Sequence, residues 1–279
     1  MSTAKKILRF VLGAALLYAV SVGVAFLVYP RVLFPAPASP PPIPLGVGEP
    51  LSARAKDGVT ANALYFAPRD PNAPVVVFFH GNGETVSYDL WRAQNIEELG
   101  FGAMLAEYRG YGTASANGSP SEAGLYADAE AELEALVRDK HVEKKRIALW
   151  GFSLGTGVAS EMASRGWGCA VILEAPFTSI LDEAEHFTPF FPNSWIVKDR
   201  FDTLSKAPKI TQPALVVQGT ADKTVPFAFG ERVAHALPHA EFIAVKGGHH
   251  TDLLDEDLDP IVQAAKRIVS SACRDPDPK

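Results

Sequence analysis

The residue best placed to do chemistry in this sequence is a serine between two glycines. The segment 147–163 reads IALWGFSLGTGVASEMA, so Gly151, Ser153 and Gly155 fit the pattern G-x-S-x-G. A short apolar run precedes the motif and a small-residue helical pattern follows it, which is the strand–turn–helix context of a nucleophilic serine. The two glycines leave room where a Cβ would clash with neighbouring backbone. We therefore predict that Ser153 is a nucleophile rather than a simple turn residue and helix cap.

A serine nucleophile needs a general base, and the base needs an acid that orients it. Asp222 follows the apolar run PALVVQG, and two histidines, His249 and His250, follow the run EFIAVKG. Their order after Ser153, acid and then histidine, is the order expected in this strand context. Asp222 alone would suit a turn, but together these residues indicate a catalytic triad with either histidine as the base. Four other acids are less well placed in order or strand context: Glu174, Asp182, Asp199 and Asp252.

Two backbone N–H groups are expected to stabilise an oxyanion beside the serine. One is the N–H of Leu154, at the start of the predicted helix. The other is the N–H of Asn82 in the segment VVVFFHGNG, where Gly81 and Gly83 let the backbone approach a substrate. His80 lies in the same segment, and we predict that it packs and forms hydrogen bonds within the loop rather than acting in catalysis.

Short apolar runs alternate with longer helical patterns from residue 51 onward. Near-continuous apolar runs are typical of strands covered on both faces, and thus of a mostly parallel sheet. A helix is predicted from Ser119, which opens an S-x-x-E capping box with Pro120 at the first helical position. The alternation predicts a doubly wound α/β fold with ligands at the C-terminal ends of the strands. The predicted strands are 75–79, 103–107, 147–150, 170–173, 214–218 and 242–245.

The first fifty residues contain an apolar stretch and a proline-rich stretch instead of the alternating pattern of the rest of the chain. Residues 10–29 carry no charge and, at about 1.5 Å per residue, can cross the hydrocarbon core of a bilayer. We predict an uncleaved signal anchor rather than a cleaved signal peptide, because the apolar region is long and lacks a suitable cleavage site. Lys5, Lys6 and Arg9 precede it and Arg31 follows it, which predicts a cytoplasmic N-terminus and a periplasmic, lumenal or extracellular domain. The predicted units are 1–34, stub and anchor; 35–50, a proline-rich spacer; and 51–279, the globular domain.

The composition argues against several partners. The net charge is −6 and no Lys/Arg-rich run stands out, so a nucleic-acid partner is not expected. Neither a metal nor a cofactor is needed for the predicted chemistry, and no obligate protein partner is predicted.

Cys169 and Cys273 form no metal or disulfide framework, and we expect free thiols, with a single bridge as the alternative. The proline-rich spacer is expected to be extended and to hold the domain off the bilayer.

Eight blocks between about residues 60 and 270 together resemble the α/β-hydrolase superfamily, specifically its membrane-tethered abhydrolase-domain serine hydrolases. The resemblance implies an α/β-hydrolase fold, a Ser-Asp-His triad, an acyl-enzyme, and hydrolysis of acyl esters, lysophospholipids or protein thioesters. The blocks are FFHGNGE, EYRGYG, GSPSEAGLYADAEAEL, GFSLGTGVA, LEAPFTSI, DRFDTLSKAPKI, VVQGTADKTVPFAFGERV and HHTDLL.

The sequence departs from the family pattern at two places. Glu107 stands where relatives usually have aspartate, so we expect a repacked loop with intact chemistry. In the last block the resemblance aligns His250 with the catalytic base, Thr251 with an asparagine and Asp252 with an aspartate. His249 then replaces a small residue. His250 is therefore the predicted base, and His249 is the alternative if the register shifts by one residue.

Residues 176–204 are too long for a minimal connection and look like a small cap over the serine. The predicted function is a membrane-anchored serine hydrolase that cleaves carboxylic esters or thioesters of acyl or lipid-like substrates. A peptidase or amidase with the same triad and a non-catalytic binding protein on a hydrolase fold are the alternatives. Five aromatic residues of the cap suit either core packing or acyl binding: Phe187, Phe190, Phe191, Trp195 and Phe201.

Overall fold

The computed structural model describes residues 2–256 and 258–274, and a single large sheet dominates this part of the chain. The sheet has eight strands in the order β1-β2-β4-β3-β5-β6-β7-β8. Strand β2 pairs antiparallel with both β1 and β4, and the remaining neighbours are parallel. The strands are β1 Glu49–Arg54, β2 Thr60–Phe66, β3 Val75–Phe79, β4 Gly102–Glu107, β5 Ile147–Phe152, β6 Ala170–Glu174, β7 Ala214–Gly219 and β8 Ala240–Val245.

Helices cover both faces of this sheet. Alternate residues of β3 enter different cores: Val77 packs with α3, α4 and α8 on one face, and Phe78 packs with α2 and α10 on the other. This two-residue period is the reason why the central strands are apolar throughout. The helices are α1 Thr3–Leu33, α2 Leu90–Glu98, α3 Glu122–Asp139, α4 Leu154–Ser164, α5 Ile180–Phe187, α6 Asn193–Ile196, α7 Thr203–Lys206, α8 Phe227–Ala236, α9 Leu253–Glu256 and α10 Leu258–Ala272.

The predicted α/β fold with a mostly parallel sheet is confirmed. All six predicted strands are present, and β8 begins two residues earlier than expected, at Ala240. The antiparallel strands β1 and β2 were not predicted. In β1 buried and exposed residues alternate towards its C-terminal end, so it has no continuous apolar run of the kind found in the covered strands.

The predicted start of α3 is wrong. The helix begins at Glu122, and its N-cap is Ser121, whose hydroxyl accepts a hydrogen bond from the Gly124 N–H at 3.1 Å. The Glu122 carboxylate is not available to cap Ser119, because it accepts hydrogen bonds from the Arg200 N–H at 2.6 Å and the Tyr126 hydroxyl at 2.8 Å. A contact with a distant segment therefore overrides the local capping pattern.

Helix α1 is docked on the domain instead of being held away from it. At its C-terminal end Leu33 and the following Phe34 are buried in the main core. The Tyr29 hydroxyl donates to the Asp199 carbonyl at 3.1 Å and accepts from the Asp199 N–H at 2.9 Å. The predicted separation of helix and domain by the proline-rich spacer is therefore wrong. Strand β1 also begins inside the predicted spacer, at Glu49.

The expectation of free thiols is wrong, and the alternative of a single bridge is right. Cys169, directly before β6, is bonded to Cys273, directly after α10, and their Cα atoms are 5.3 Å apart. The two cysteines are separated by 104 positions in the chain, so their local sequences do not indicate the pairing. The disulfide therefore links the end of α10 to the start of β6.

Removal of this disulfide should destabilise the protein. A cross-link that closes a loop this long restricts the unfolded chain, so we expect Cys169→Ala/Cys273→Ala to lose about 2–5 kcal/mol of unfolding free energy. Urea unfolding in detergent measures the loss. Wild type after reduction should show a similar decrease, and equal transition midpoints for oxidised and reduced wild type would contradict the prediction.

Candidate active site

Ser153 lies at a sharp turn between β5 and α4. Its backbone φ is 48° and its ψ is −117°, a left-handed conformation that is uncommon for a residue other than glycine. A Cβ added at Gly155 would lie 1.9 Å from the Phe79 carbonyl oxygen, and one at Gly151 would lie 2.3 Å from the Gly155 carbonyl oxygen. Helix α4 can therefore begin this close to the sheet only with glycine at both positions. The turn holds the serine side chain above the end of the sheet.

Two loops at the same edge of the sheet bring an acid and a histidine to this serine. His250, which follows β8, has its Nε2 atom 2.9 Å from Ser153 Oγ. Its Nδ1 atom is 2.8 Å from Asp222 Oδ2, in the loop after β7. The structure thus brings together the three residues that the sequence predicted as a triad. This arrangement can take a proton from the serine hydroxyl and stabilise the imidazolium that results.

Asp222 is held in its ionised form. The carboxylate accepts hydrogen bonds from the N–H groups of Thr224 and Val225, both at 2.8 Å, and from the Gln218 side-chain amide at 2.9 Å. Burial alone would raise the pKa of Asp222, but the hydrogen bond and charge of His250 and these backbone donors outweigh it and lower the pKa. The negative charge therefore stays where it can orient the histidine.

His249 points away from the site. Its side chain is 61% exposed, and its Nδ1 atom lies 2.9 Å from Asp252 Oδ2. Asp252 also accepts from the His249 N–H at 2.6 Å, so it is engaged outside the site. Among the other alternative acids, Glu174 is paired with Arg92 at 2.7 Å inside the core, and Asp199 contacts Tyr29.

The two residues expected beside an oxyanion lie in the loop after β3 and at the start of α4. Asn82 and Leu154 both line the pocket at Ser153. The Asn82 carbonyl accepts a hydrogen bond from the Tyr111 hydroxyl at 3.0 Å, which fixes one side of this peptide. Leu154 is the first residue of α4, where helical N–H groups have no partner within the helix. Both predicted residues therefore lie next to the serine.

His80 is buried beneath this loop, and its predicted packing role is confirmed. Its ring lies 4.2 Å from the Tyr108 ring, centroid to centroid, and its Nδ1 atom is 2.7 Å from the Gly81 carbonyl oxygen. Burial opposes the charged form, but the nearby Glu107 carboxylate, 3.4 Å from Nε2, outweighs it and raises the pKa of His80. Glu107 also lies within 3.3 Å of the Thr113 N–H, so it joins two loops under the site.

The pocket over Ser153 has a volume of about 250 Å³. The cap aromatics divide between the expected roles and a third position: Phe187 lines the pocket, whereas Trp195 and Phe190 are 73% and 85% exposed outside it. Phe201 is buried in the core instead. Sequence reasoning missed a wall formed by the end of α1, because these residues are far from the cap in the chain. Its members are Tyr29, Val32 and Leu33.

One ionisable carboxyl group, that of Glu183, lies in the described lining of the pocket. Burial, with smaller effects from Asp222 and Asp182, raises the pKa of Glu183 to about 8. The group is therefore largely uncharged at neutral pH and can donate a hydrogen bond. The remaining lining is mainly aliphatic and aromatic, so the pocket suits an uncharged, apolar ligand.

The sheet order, the turn at Ser153 and the two following loops define an α/β-hydrolase. The sequence profile of the prolyl oligopeptidase family, Peptidase_S9, matches residues 86–254. An uncharacterized protein of Mycobacterium tuberculosis is 32% identical over 225 residues, which cover 79% of each chain. The chain therefore belongs to the prolyl oligopeptidase family, within the α/β-hydrolase superfamily.

Another relative and two solved structures are also similar to this chain. The α/β hydrolase domain-containing protein 17C of Xenopus tropicalis is 35% identical over 185 residues, covering 64% of this chain and 56% of that protein. The esterase Pf2001 of Pyrococcus furiosus has a similar fold, with a TM-score of 0.69, 16% identity, and coverage of 85% of this chain and 99% of that chain. Est1E of Butyrivibrio proteoclasticus, solved with ferulic acid, has a TM-score of 0.65, 17% identity, and coverage of 80% and 98%.

Separate replacement of the two histidines tests the base. We expect His250→Ala to lower kcat by about 10³-fold or more, because the variant loses the ring nitrogen that lies 2.9 Å from Ser153 Oγ and can accept its proton. His249→Ala serves as the matched control and should stay close to wild type, since its ring faces solvent. Hydrolysis of a short, soluble nitrophenyl ester measures both. Loss of turnover in His249→Ala alone would overturn the assignment.

The buried Glu183 should make stability depend on pH. Because its folded pKa is raised to about 8 from 4.5, its stabilising contribution is complete below about pH 4.5 and is lost as pH rises through about 8. Between about pH 5 and pH 9, the unfolding free energy of wild type should therefore fall relative to that of Glu183→Gln. A change of one pKa unit corresponds to about 1.4 kcal/mol, so the fall is at most a few kcal/mol.

Urea unfolding across this pH range measures the difference between the two proteins. Glu185→Gln, at an exposed position of the same helix, is the matched control and should follow wild type. Parallel stability profiles for wild type and Glu183→Gln would contradict the prediction.

Proposed function

We propose that this protein is a membrane-anchored serine hydrolase that cleaves carboxylic ester or thioester bonds of acyl or lipid-like substrates. The observation that carries the proposal is the continuous chain of hydrogen bonds from Ser153 through His250 to Asp222. This chain ends at an apolar pocket, so the nucleophile and the space for an acyl chain adjoin each other.

The proposed reaction proceeds through an acyl-enzyme. Ser153 Oγ attacks the acyl carbonyl carbon while its proton passes to His250 Nε2. The N–H groups of Asn82 and Leu154 stabilise the oxyanion, and Asp222 stabilises the imidazolium. His250 then protonates the leaving alcohol or thiol as its bond to the acyl carbon breaks. A water molecule, deprotonated by the same histidine, attacks the acyl-enzyme and releases the acid and Ser153.

The character of the pocket favours an apolar acyl group. Phe177, Ile180, Phe187 and Val197 supply apolar walls, and the raised pKa of Glu183 leaves this carboxyl largely neutral at pH 7. The solved structures with a similar fold include a protein named as an esterase and one that holds ferulic acid, which is in line with acyl-ester chemistry.

We further propose that α1 is an uncleaved signal anchor with its N-terminus in the cytoplasm. The helix is long and apolar enough to cross a membrane by length and composition. Lys5, Lys6 and Arg9 at its start favour this orientation. The disulfide between Cys169 and Cys273 supports a domain in an oxidising, non-cytoplasmic compartment.

A peptidase or amidase is the alternative, because the matched family is the prolyl oligopeptidase family and because a substrate ammonium group beside Glu183 would favour its ionised form and pair with it. An ester and an amide with the same acyl group separate the two hypotheses. The proposal expects a large preference for the ester, and Glu183→Gln should leave that preference unchanged. If the amide is cleaved faster than the ester, and Glu183→Gln abolishes amide cleavage, the peptidase is favoured.

Covalent labelling tests the nucleophile directly. We expect a fluorophosphonate to label the full-length protein in membranes, because the His250 base activates Ser153 for attack on phosphorus. Ser153→Ala should lose the label, while Ser160→Ala, a change at a buried serine of α4, should keep it. Labelling that survives in Ser153→Ala would contradict the proposal.

A further inference from the structure

The C-terminal half of α1 lies along the cap. The Tyr18 hydroxyl donates a hydrogen bond to the Phe190 carbonyl at 2.8 Å, and the rings of Tyr18 and Phe191 are stacked with centroids 6.4 Å apart. Eleven residues further on, Tyr29 contacts Asp199. At 1.5 Å per residue these contacts extend over about 16 Å of the helix. Cap and helix therefore share a long side-by-side contact.

This contact conflicts with a cap that stays wholly in water. The uncharged stretch of α1 runs from residue 10 to residue 29, and about 20 residues are needed to cross the hydrocarbon core. Tyr18 lies near the middle of that stretch. If α1 spans a membrane, the part of the cap beside Tyr18 must enter the same leaflet as the C-terminal half of the helix.

Residues 187–197, here named the cap tip, have the composition that such a position requires. They read FTPFFPNSWIV and contain no charged residue. Three large apolar side chains of the tip are exposed: Phe187 at 53%, Phe190 at 85% and Trp195 at 73%. Exposed apolar groups this close together mark an interaction surface, and tryptophan is enriched where proteins meet the membrane interface.

Most backbone N–H groups of the cap tip have internal partners, which an environment without water requires. The Thr188 N–H donates to Ala184, the Phe191 N–H to Thr188, and the Asn193 N–H to Phe191, at 2.8–3.1 Å. The Asn193 side-chain amide donates to the carbonyls of Ala184 and Thr188. Pro189 and Pro192 carry no N–H group.

We infer that the cap tip inserts into the membrane leaflet beside α1, and that acyl chains enter the Ser153 pocket from this leaflet. The partner is the lipid bilayer itself, because the cap tip lies against the helix that we propose to cross it. Tyr29, Val32 and Leu33 of α1 form one wall of the pocket, and Phe187 of the cap tip lies in another. The substrate inference rests on the proposed function, whereas the insertion does not.

Trp195 serves as the probe of insertion. The full-length protein is reconstituted in phosphatidylcholine vesicles that contain phospholipids with a nitroxide on the acyl chain, and tryptophan emission is recorded. Subtraction of Trp195→Phe isolates the probe from the other three tryptophans. Insertion predicts strong quenching by the nitroxide lipid and weak quenching by aqueous acrylamide. Strong acrylamide quenching without lipid quenching would overturn the inference.

A second outcome would also overturn it. If neither quencher reaches Trp195 and chemical cross-linking joins two chains, the cap tip is covered by a second copy rather than by lipid. Neither result depends on catalysis, so the insertion can fail while the proposed hydrolase activity stands, or the reverse.

Substrate entry from the leaflet is tested with Phe190→Asp/Trp195→Asp. Charges at these positions oppose insertion into the hydrocarbon, so hydrolysis of a long-chain ester embedded in vesicles should fall about tenfold or more. Hydrolysis of a short, soluble ester and fluorophosphonate labelling should persist, because neither side chain lines the pocket. Leu45→Asp, at another fully exposed apolar residue, is the matched control and should keep both activities. Unchanged long-chain activity in the double variant would overturn this part of the inference.

Discussion

The close approach of helix α4 to strand β3 is the constraint on which the site depends. No side chain fits between Gly155 and the Phe79 carbonyl oxygen, since an added Cβ would be 1.9 Å from that oxygen. The short turn forces Ser153 into its left-handed conformation, a strain of about 1–3 kcal/mol. The Ser153 N–H offsets part of it by donating to the Glu174 carbonyl at 2.9 Å. Backbone packing, rather than the serine itself, thus places the hydroxyl.

A second polar contact joins the helix, the cap and the domain. One carboxylate oxygen of Asp199 accepts from the Glu122 N–H at 2.7 Å, while the other lies 3.2 Å from the Tyr29 hydroxyl. The start of α3, the end of α1 and the end of the cap therefore meet at one residue. Because Tyr29 also lines the pocket, the position of the N-terminal helix and the shape of the substrate site depend on the same contact.

The sequence could predict the central strands and the three residues of the proposed triad, because each of the three follows a short apolar run and these runs end at the same sheet edge. It could not reveal β1, where exposed residues interrupt the apolar pattern, or β2, where the half-buried Asn62 interrupts it. The disulfide and the α1 wall of the pocket join segments that are far apart in the chain, and no local pattern encodes such contacts. The start of α3 was missed because Glu122 binds Arg200 instead of capping the helix.

The most direct test of the proposed acyl-enzyme mechanism is the identification of the acylated residue. The full-length protein in detergent is mixed with a nitrophenyl ester, quenched with acid during the first turnovers and digested, and the peptides are analysed by mass spectrometry. We expect one acyl group on Ser153 and none in the same peptide from Ser153→Ala. Ester hydrolysis with the acyl group on another residue, or with Ser153→Ala fully active, would contradict it.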